Sequence, residues 1–271
     1  MYIKREHNMN TIKDTTISSL FRQVAKQGFV PIFVADDRNV EIQLSACLEA
    51  GLNVIEYTQR RSDAPEMIPA ILRKNPDVKI LVGSTLDDDG VVNALRRNHP
   101  QLRTFDELAE LGVSGFVSRM SFSEKTCTKW QNKKLLIPCA GTVNEAYRQF
   151  AAGAHIIKVV KPDYEVVKQL NTTPAFGFCP LFVTGGMLLE TIPDAMKDGV
   201  LCVGTGFDAI MKDATALDDD AYHTELVKRL QALRDCVVSN REKRFPGLLE
   251  ILDQDDWLNH LPFALPENIY A

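Results

Sequence analysis

Short apolar runs alternate with longer amphipathic stretches along most of the chain. The runs are Phe29–Val34, Asn53–Thr58, Val78–Val82, Gly115–Ser118, Leu135–Pro138, His155–Val160, Leu181–Thr184 and Val200–Gly204. Rich in Val, Ile, Leu and Phe, they have the composition of strands buried on both faces. Between them the spacing predicts helices over Asn39–Ala50, Ala64–Lys74, Phe105–Leu111, Ser123–Trp130, Val143–Ala152, Tyr164–Leu170 and Leu188–Lys197. Start signals precede several of these, such as Ser62-Asp63 ahead of Ala64-Pro65, and Thr142 with Glu145 three residues on. Gly51, Gly112, Gly153 and Gly199 close helices just before the next strand, the usual place of a C-terminal glycine. Eight strand candidates with helical crossovers predict a TIM (β/α)8 barrel. A doubly wound open sheet shares the alternation, but it would place a glycine-rich turn after its first strand. Here that strand runs into Val34-Ala35-Asp36-Asp37, so the barrel is preferred.

Two segments fall outside the repeat. Thr11–Lys26 reads as an amphipathic helix capping the bottom of the barrel. Leu217–Ser239 reads as a long helix with Leu226, Leu230 and Leu233 on one stripe, followed by an apolar tail, Phe245–Leu261. The expected division is a catalytic barrel over 1–213 and a helical extension over 214–271, packed on the barrel or on a neighbouring subunit.

Composition narrows the function classes. With 45% hydrophobic and 25% charged residues in 271, the chain is globular, and no apolar run reaches bilayer length. A net charge of −5 speaks against nucleic-acid and anionic-membrane partners. The N-terminus is polar with no apolar stretch behind it, so a cytoplasmic protein is expected. Six cysteines form no CxxC pair and no histidine stands beside one at ligand spacing, so no metal is expected.

Barrels place their chemistry at the C-terminal ends of the strands. In the second run Val54, Glu56 and Thr58 share one face, and a carboxylate there must be paired, hydrogen-bonded or used. In the sixth run Ile156, Lys158 and Val160 share a face, while Lys161 has the opposite parity. A lysine embedded in that apolar strand loses hydration as a cation, which favours the free amine that adds to a ketone. The bland alternatives are a structural ion pair and a lysine snorkelling to solvent. Thr184-Gly185-Gly186 and Gly204-Thr205-Gly206 end the last two strands, where backbone N–H groups of barrels close on phosphates; tight turns use the same residues. The third strand ends Gly83-Ser84-Thr85, bringing a hydroxyl to the rim either for substrate or as a helix cap.

These residues carry a family resemblance. Val54-Ile55-Glu56-Tyr57-Thr58-Gln59-Arg60 resembles the "LE(V/I)TxR" segment of the 2-keto-3-deoxy-6-phosphogluconate (KDPG) and 4-hydroxy-2-oxoglutarate (KHG) aldolases. Gly83-Ser84-Thr85-Leu86, Phe116-Val117-Ser118, Leu136-Ile137-Pro138, Thr142-Val143-Asn144-Glu145, Ile157-Lys158-Val159-Val160, Thr184-Gly185-Gly186 and Leu201-Cys202-Val203-Gly204 follow in that family's order. The resemblance implies a trimeric, metal-independent class I aldolase, with no cofactor, that cleaves a 2-keto-4-hydroxy acid to pyruvate and an aldehyde. It implies Lys158 as the Schiff-base lysine and Glu56 as the general acid/base. Arg60 and Thr85 would hold the substrate carboxylate, and Thr184, Gly185, Gly186, Gly204, Thr205 and Gly206 a phosphate. The chain departs from the family at Ser118-Arg119, at Gly206 where a serine is common, and in the three residues between Lys158 and Pro162. Arg119 offers a replacement anion ligand. The competing reading is a catalytically degenerate barrel acting as a scaffold or phosphosugar-binding protein.

Overall fold

The structure, a computed structural model, describes residues 16–35, 38–172 and 179–270. Among them eight parallel strands form one sheet: β1 (Phe29–Phe33), β2 (Val54–Thr58), β3 (Lys79–Gly83), β4 (Gly115–Val117), β5 (Leu135–Ile137), β6 (Ile157–Val160), β7 (Leu181–Thr184) and β8 (Cys202–Gly206). The order is β5-β4-β3-β2-β1-β8-β7-β6. Its two ends meet where Cys139 bridges Lys158, with the Lys158 N–H donating to Pro138 and its carbonyl accepting from Ala140, so the ring closes into a TIM (β/α)8 barrel.

Twelve helices accompany the strands among the described residues. They are α1 (Thr16–Gln27), α2 (Val40–Glu49), α3 (Ala64–Lys74), α4 (Asp89–Leu95), α5 (Phe105–Glu110), α6 (Glu124–Trp130), α7 (Val143–Ala151), α8 (Glu165–Thr172), α9 (Ile192–Lys197), α10 (Phe207–Ile210), α11 (Asp219–Arg241) and α12 (Leu248–Asp253). The sequence signals account for most of their ends. Thr142 accepts from the Glu145 N–H while the Glu145 carboxylate accepts from Gly141, stapling the first turn of α7. All four helix-closing glycines have positive φ, from 76° at Gly51 to 99° at Gly153, which a side chain would resist. Ahead of α3 the signal is used differently: Asp63 makes no cap but takes the Arg61 guanidinium and the Tyr57 hydroxyl.

Strand alternation sorts the core into two packings. Ile55, Tyr57, Ile80, Phe116, Val159 and Val183 point outward onto the helices. Val30, Val54, Leu81, Val117, Ile156 and Phe182 point inward and fill the lower barrel. Pleat parity thus aims Glu56 and Lys158 at the axis, two residues above Val54 and Ile156.

The chain beyond residue 213 does two things. α11 packs between α2 and α9, the place of the eighth helix in the ring. Its last residue, Arg241, is buried and donates to the carbonyls of Ala25 and Leu201, tying it to α1 and the start of β8. The tail then crosses the barrel bottom. Phe245, Leu248, Leu252, Trp257 and Phe263 form one apolar cluster with Ile17, Leu20, Phe21 and Val24 of α1. Trp257 stacks on Phe21 at 6.1 Å. The part of the expected N-terminal helix over 11–15 lies outside the described residues.

At the foot of β6 the tail meets a buried histidine. His155 Nδ1 accepts from the Leu136 N–H, and its other ring nitrogen lies 2.9 Å from the Asn268 amide. Burial pushes this imidazole down from 6.5 to about 4.

Two stability predictions follow from the bottom cover. Trp257→Ala removes the largest side chain buried there and should lower unfolding free energy by about 3–5 kcal/mol in urea titrations; a loss below about 1 kcal/mol would show the tail to be loosely held. Because the folded state releases the His155 proton more readily than the unfolded chain, its contribution is full above pH 6.5. It is lost as pH falls from 6.5 through 4, on the order of 3 kcal/mol in all. His155→Asn should flatten that slope, and an unchanged slope would assign it to another group.

Candidate active site

A cavity of about 650 Å³ opens at the C-terminal ends of the strands, lined by Glu56, Arg60, Ser84, Arg119, Lys158, Thr184, Gly185, Gly186, Gly206 and Asp208, with Ile32, Val34, Val160 and Ala209. On its floor Lys158 Nζ stands 3.4 Å from Glu56 Oε1, across the barrel from β6 to β2. Lys158 is 7% exposed and Glu56 2%. Phe182 supplies an aromatic face 5.7 Å from the ammonium. The second carboxylate oxygen, Glu56 Oε2, is buried and has no hydrogen-bond partner among the described residues. The cavity floor thus sets a buried carboxylate with one idle oxygen beside a buried amine.

The carboxylate is seated by a missing side chain. A Cβ on Gly83, which pairs with Thr58 across the β2–β3 ladder, would run into Glu56 Oε1. The next residue, Ser84, has φ +60° and is the one non-glycine residue with positive φ among those described. That conformation breaks the strand alternation, so Ser84 lines the cavity. Thr85, expected at the rim, turns away: it is buried and donates its hydroxyl to the Val117 carbonyl, while its own carbonyl accepts from Ser118.

The last two loops also divide. Thr184, Gly185 and Gly186 line the cavity, the glycines at φ +102° and +76°. Gly204 does not. It lies within β8, where a Cβ would strike the Phe182 ring and the Val30 carbonyl, so its role is packing. Thr205 faces outward and donates to the Met187 carbonyl at 2.6 Å, bracing the turn after β7. Of that triplet Gly206 alone reaches the cavity.

Arg60 and Arg119 bring positive charge to the rim after β2 and β4, and Arg119 pairs with Asp163 at 3.5 Å. Behind Arg60, burial alone would raise the Asp63 carboxyl, but hydrogen bonds from Arg61 and Tyr57 outweigh it and hold the group below its ordinary range. Arg61 is thereby committed to structure, and Arg60 to the cavity. Burial raises the Cys139 thiol, against an opposing pull from Lys158, so Cys139 is no thiolate rival to the amine. Lys161 is exposed and lies outside the cavity lining. Among the described residues no group of three His, Cys, Asp or Glu side chains is placed to hold a metal, and no helix is long and apolar enough to cross a membrane.

No family model and no curated protein matches the chain. Solved structures do, and several of them are KDPG/KHG aldolases. The KDPG aldolase of Zymomonas mobilis is 19% identical with a TM-score of 0.59, over 80% of this chain and 96% of that one. A Legionella pneumophila KDPG aldolase, solved with pyruvate captured as a covalent carbinolamine, is 17% identical with a TM-score of 0.59, over 78% and 97%. A thiamine phosphate pyrophosphorylase of Pyrococcus furiosus is 13% identical with a TM-score of 0.56, over 81% and 98%. Likeness at such identity establishes the barrel and leaves the chemistry to the site.

The seat of Glu56 gives a direct structural test. Gly83→Ala should push the carboxylate off the axis and separate it from Lys158 beyond hydrogen-bond reach in a crystal structure, with a stability loss of about 1–3 kcal/mol. A variant in which the pair keeps its spacing would show that Gly83 does not position Glu56.

Proposed function

We propose that the chain is a class I aldolase of the KDPG/KHG kind, cleaving a 2-keto-4-hydroxy acid into pyruvate and an aldehyde. The observation that carries the reading is the isolated Lys158–Glu56 pair, 3.4 Å apart on the floor of a cavity whose rim is cationic. An ion pair needed only for stability is replaceable by packed apolar side chains, as it is elsewhere on these inner faces.

Arg60 and Arg119 receive the substrate carboxylate and bring the C2 ketone over Lys158. The Lys158 amine, having passed its proton to Glu56, adds to C2; Glu56 returns that proton to the carbinolamine hydroxyl, which leaves as water, giving a protonated imine and a free carboxylate. Glu56 then takes the proton of the C4 hydroxyl. The C3–C4 bond breaks, its electron pair moves into the imine as an enamine, and the aldehyde leaves. Glu56 returns a proton to C3, and water releases pyruvate from Lys158. Ser84 and Thr184 are the neutral hydroxyls available to the bound acid. The imine supplies the electron sink, so no cofactor is required by this route. Under this reading residues 1–213 carry every reacting group, and 214–271 complete and close the barrel around them.

Borohydride reduction in the presence of pyruvate tests the proposal. The intact chain should gain the mass of one reduced pyruvate, and Lys158→Ala should abolish that gain. Turnover of Lys158→Ala should fall further than the roughly 10²–10⁴-fold that loss of an acid–base group costs, whereas Glu56→Gln should fall within that range and still be trapped. A chain that takes up no pyruvate under reduction would leave the scaffold or phosphosugar-binding reading in its place.

A further inference from the structure

The cavity is charged unevenly around its rim. Arg60 and Arg119 stand after β2 and β4, and Lys158 rises from β6. The facing arc, formed by the ends of β7, β8 and β1, carries among the described residues Gly185, Gly186, Gly206, Ala209 and Val34, and one charged side chain, Asp208. Among the described lining residues that arc has no cation. Lys161 lies against Gly185 through its backbone N and its Cβ, but the residue is exposed and outside the lining.

Asp208 is held against that wall by the residue two before it. A Cβ at Gly206 would collide with Asp208 Oδ1 and approach Val34 Cγ2 to 3.1 Å. The carboxylate therefore folds back over the glycine and stands where a side chain at 206 would otherwise face the cavity. Glycine at 206 and aspartate at 208 make one arrangement: the absence of the first side chain is what admits the second.

The mechanism fixes which end of the substrate meets this arc. With the carboxylate on the arginines and C2 on Lys158, the C4 hydroxyl lies at Glu56 and the carbons beyond C4 extend toward the remaining wall. A terminal phosphate there would face a carboxylate with no lining cation to offset it, whereas a hydroxyl would donate to it. We propose that Asp208 is a specificity residue that selects an aldehyde fragment ending in an uncharged hydroxyl and rejects one ending in phosphate. This rests on the aldolase reading above, since that reading orients the substrate.

The test compares pyruvate addition to glyceraldehyde with addition to glyceraldehyde 3-phosphate. The wild type should favour glyceraldehyde in kcat/KM by about tenfold or more, and Asp208→Asn should move the ratio by at least about tenfold toward the phosphorylated aldehyde, mainly through its KM. Pyruvate trapping by Asp208→Asn verifies that the variant is folded with its lysine in place. A wild type that prefers the phosphorylated aldehyde, or a ratio that Asp208→Asn leaves within twofold, overturns the assignment. Should the wild type fail to trap pyruvate, the aldolase reading falls by itself. Calorimetry with inorganic phosphate then decides for Asp208 independently: binding gained by Asp208→Asn over wild type upholds the exclusion, and equal binding overturns it.

Discussion

Lys158 and Glu56 are opposite charges held nearly out of water, brought together by strands that are 102 positions apart in the chain. Burying such a pair is costly unless geometry and hydrogen bonds compensate, and here one carboxylate oxygen is left without a partner. Much of the barrel bears on keeping them in register. Parity along β2 and β6 aims both side chains at the axis, and the closure of the sheet passes through Lys158 itself, by its bridge to Cys139. Gly83 withholds a side chain so that the carboxylate has room.

Stability and chemistry occupy opposite ends of the barrel. At the bottom, α1 and the tail bury Phe21, Trp257 and Phe263 in one cluster, and Asn268 meets His155 three residues before the lysine. At the top the side chains are polar and the backbone takes left-handed turns at Ser84, Gly185 and Gly186. The rigid lower end gives the upper end a fixed frame on which loops of unusual conformation are tolerated.

The eight strands and the inward parity of Glu56 and Lys158 were legible because buried parallel strands write continuous apolar runs, and a charge within one stands out. α4 was not, since 87–98 carries Asp, Arg and Asn with a single buried residue, Val92, and so no apolar stripe. Thr85 is expected at the rim from the end of the third strand and from the family resemblance; the left-handed Ser84 reverses the faces there, and nothing in Gly-Ser-Thr announces it. Gly204 is expected to end the eighth strand and meet a phosphate, yet β8 continues to Gly206 and the glycine makes room for the Phe182 ring. The long helix was visible as an amphipathic stretch, but its place as eighth member of the ring depends on contacts with α2 and α9 that no local pattern encodes. Asp208 has only a faint signal in the sequence, a carboxylate two residues after the last glycine of the final strand.

The central claim is that pleat parity makes Lys158, and not its neighbour Lys161, the nucleophile of this barrel. Digestion of the pyruvate adduct after borohydride reduction, with tandem mass spectrometry of the peptide spanning 155–168, measures it directly. The account predicts the reduced pyruvate on Lys158 alone. Label on Lys161 would mean that the exposed lysine reacts, and it would contradict the reading of β6 on which the site is built.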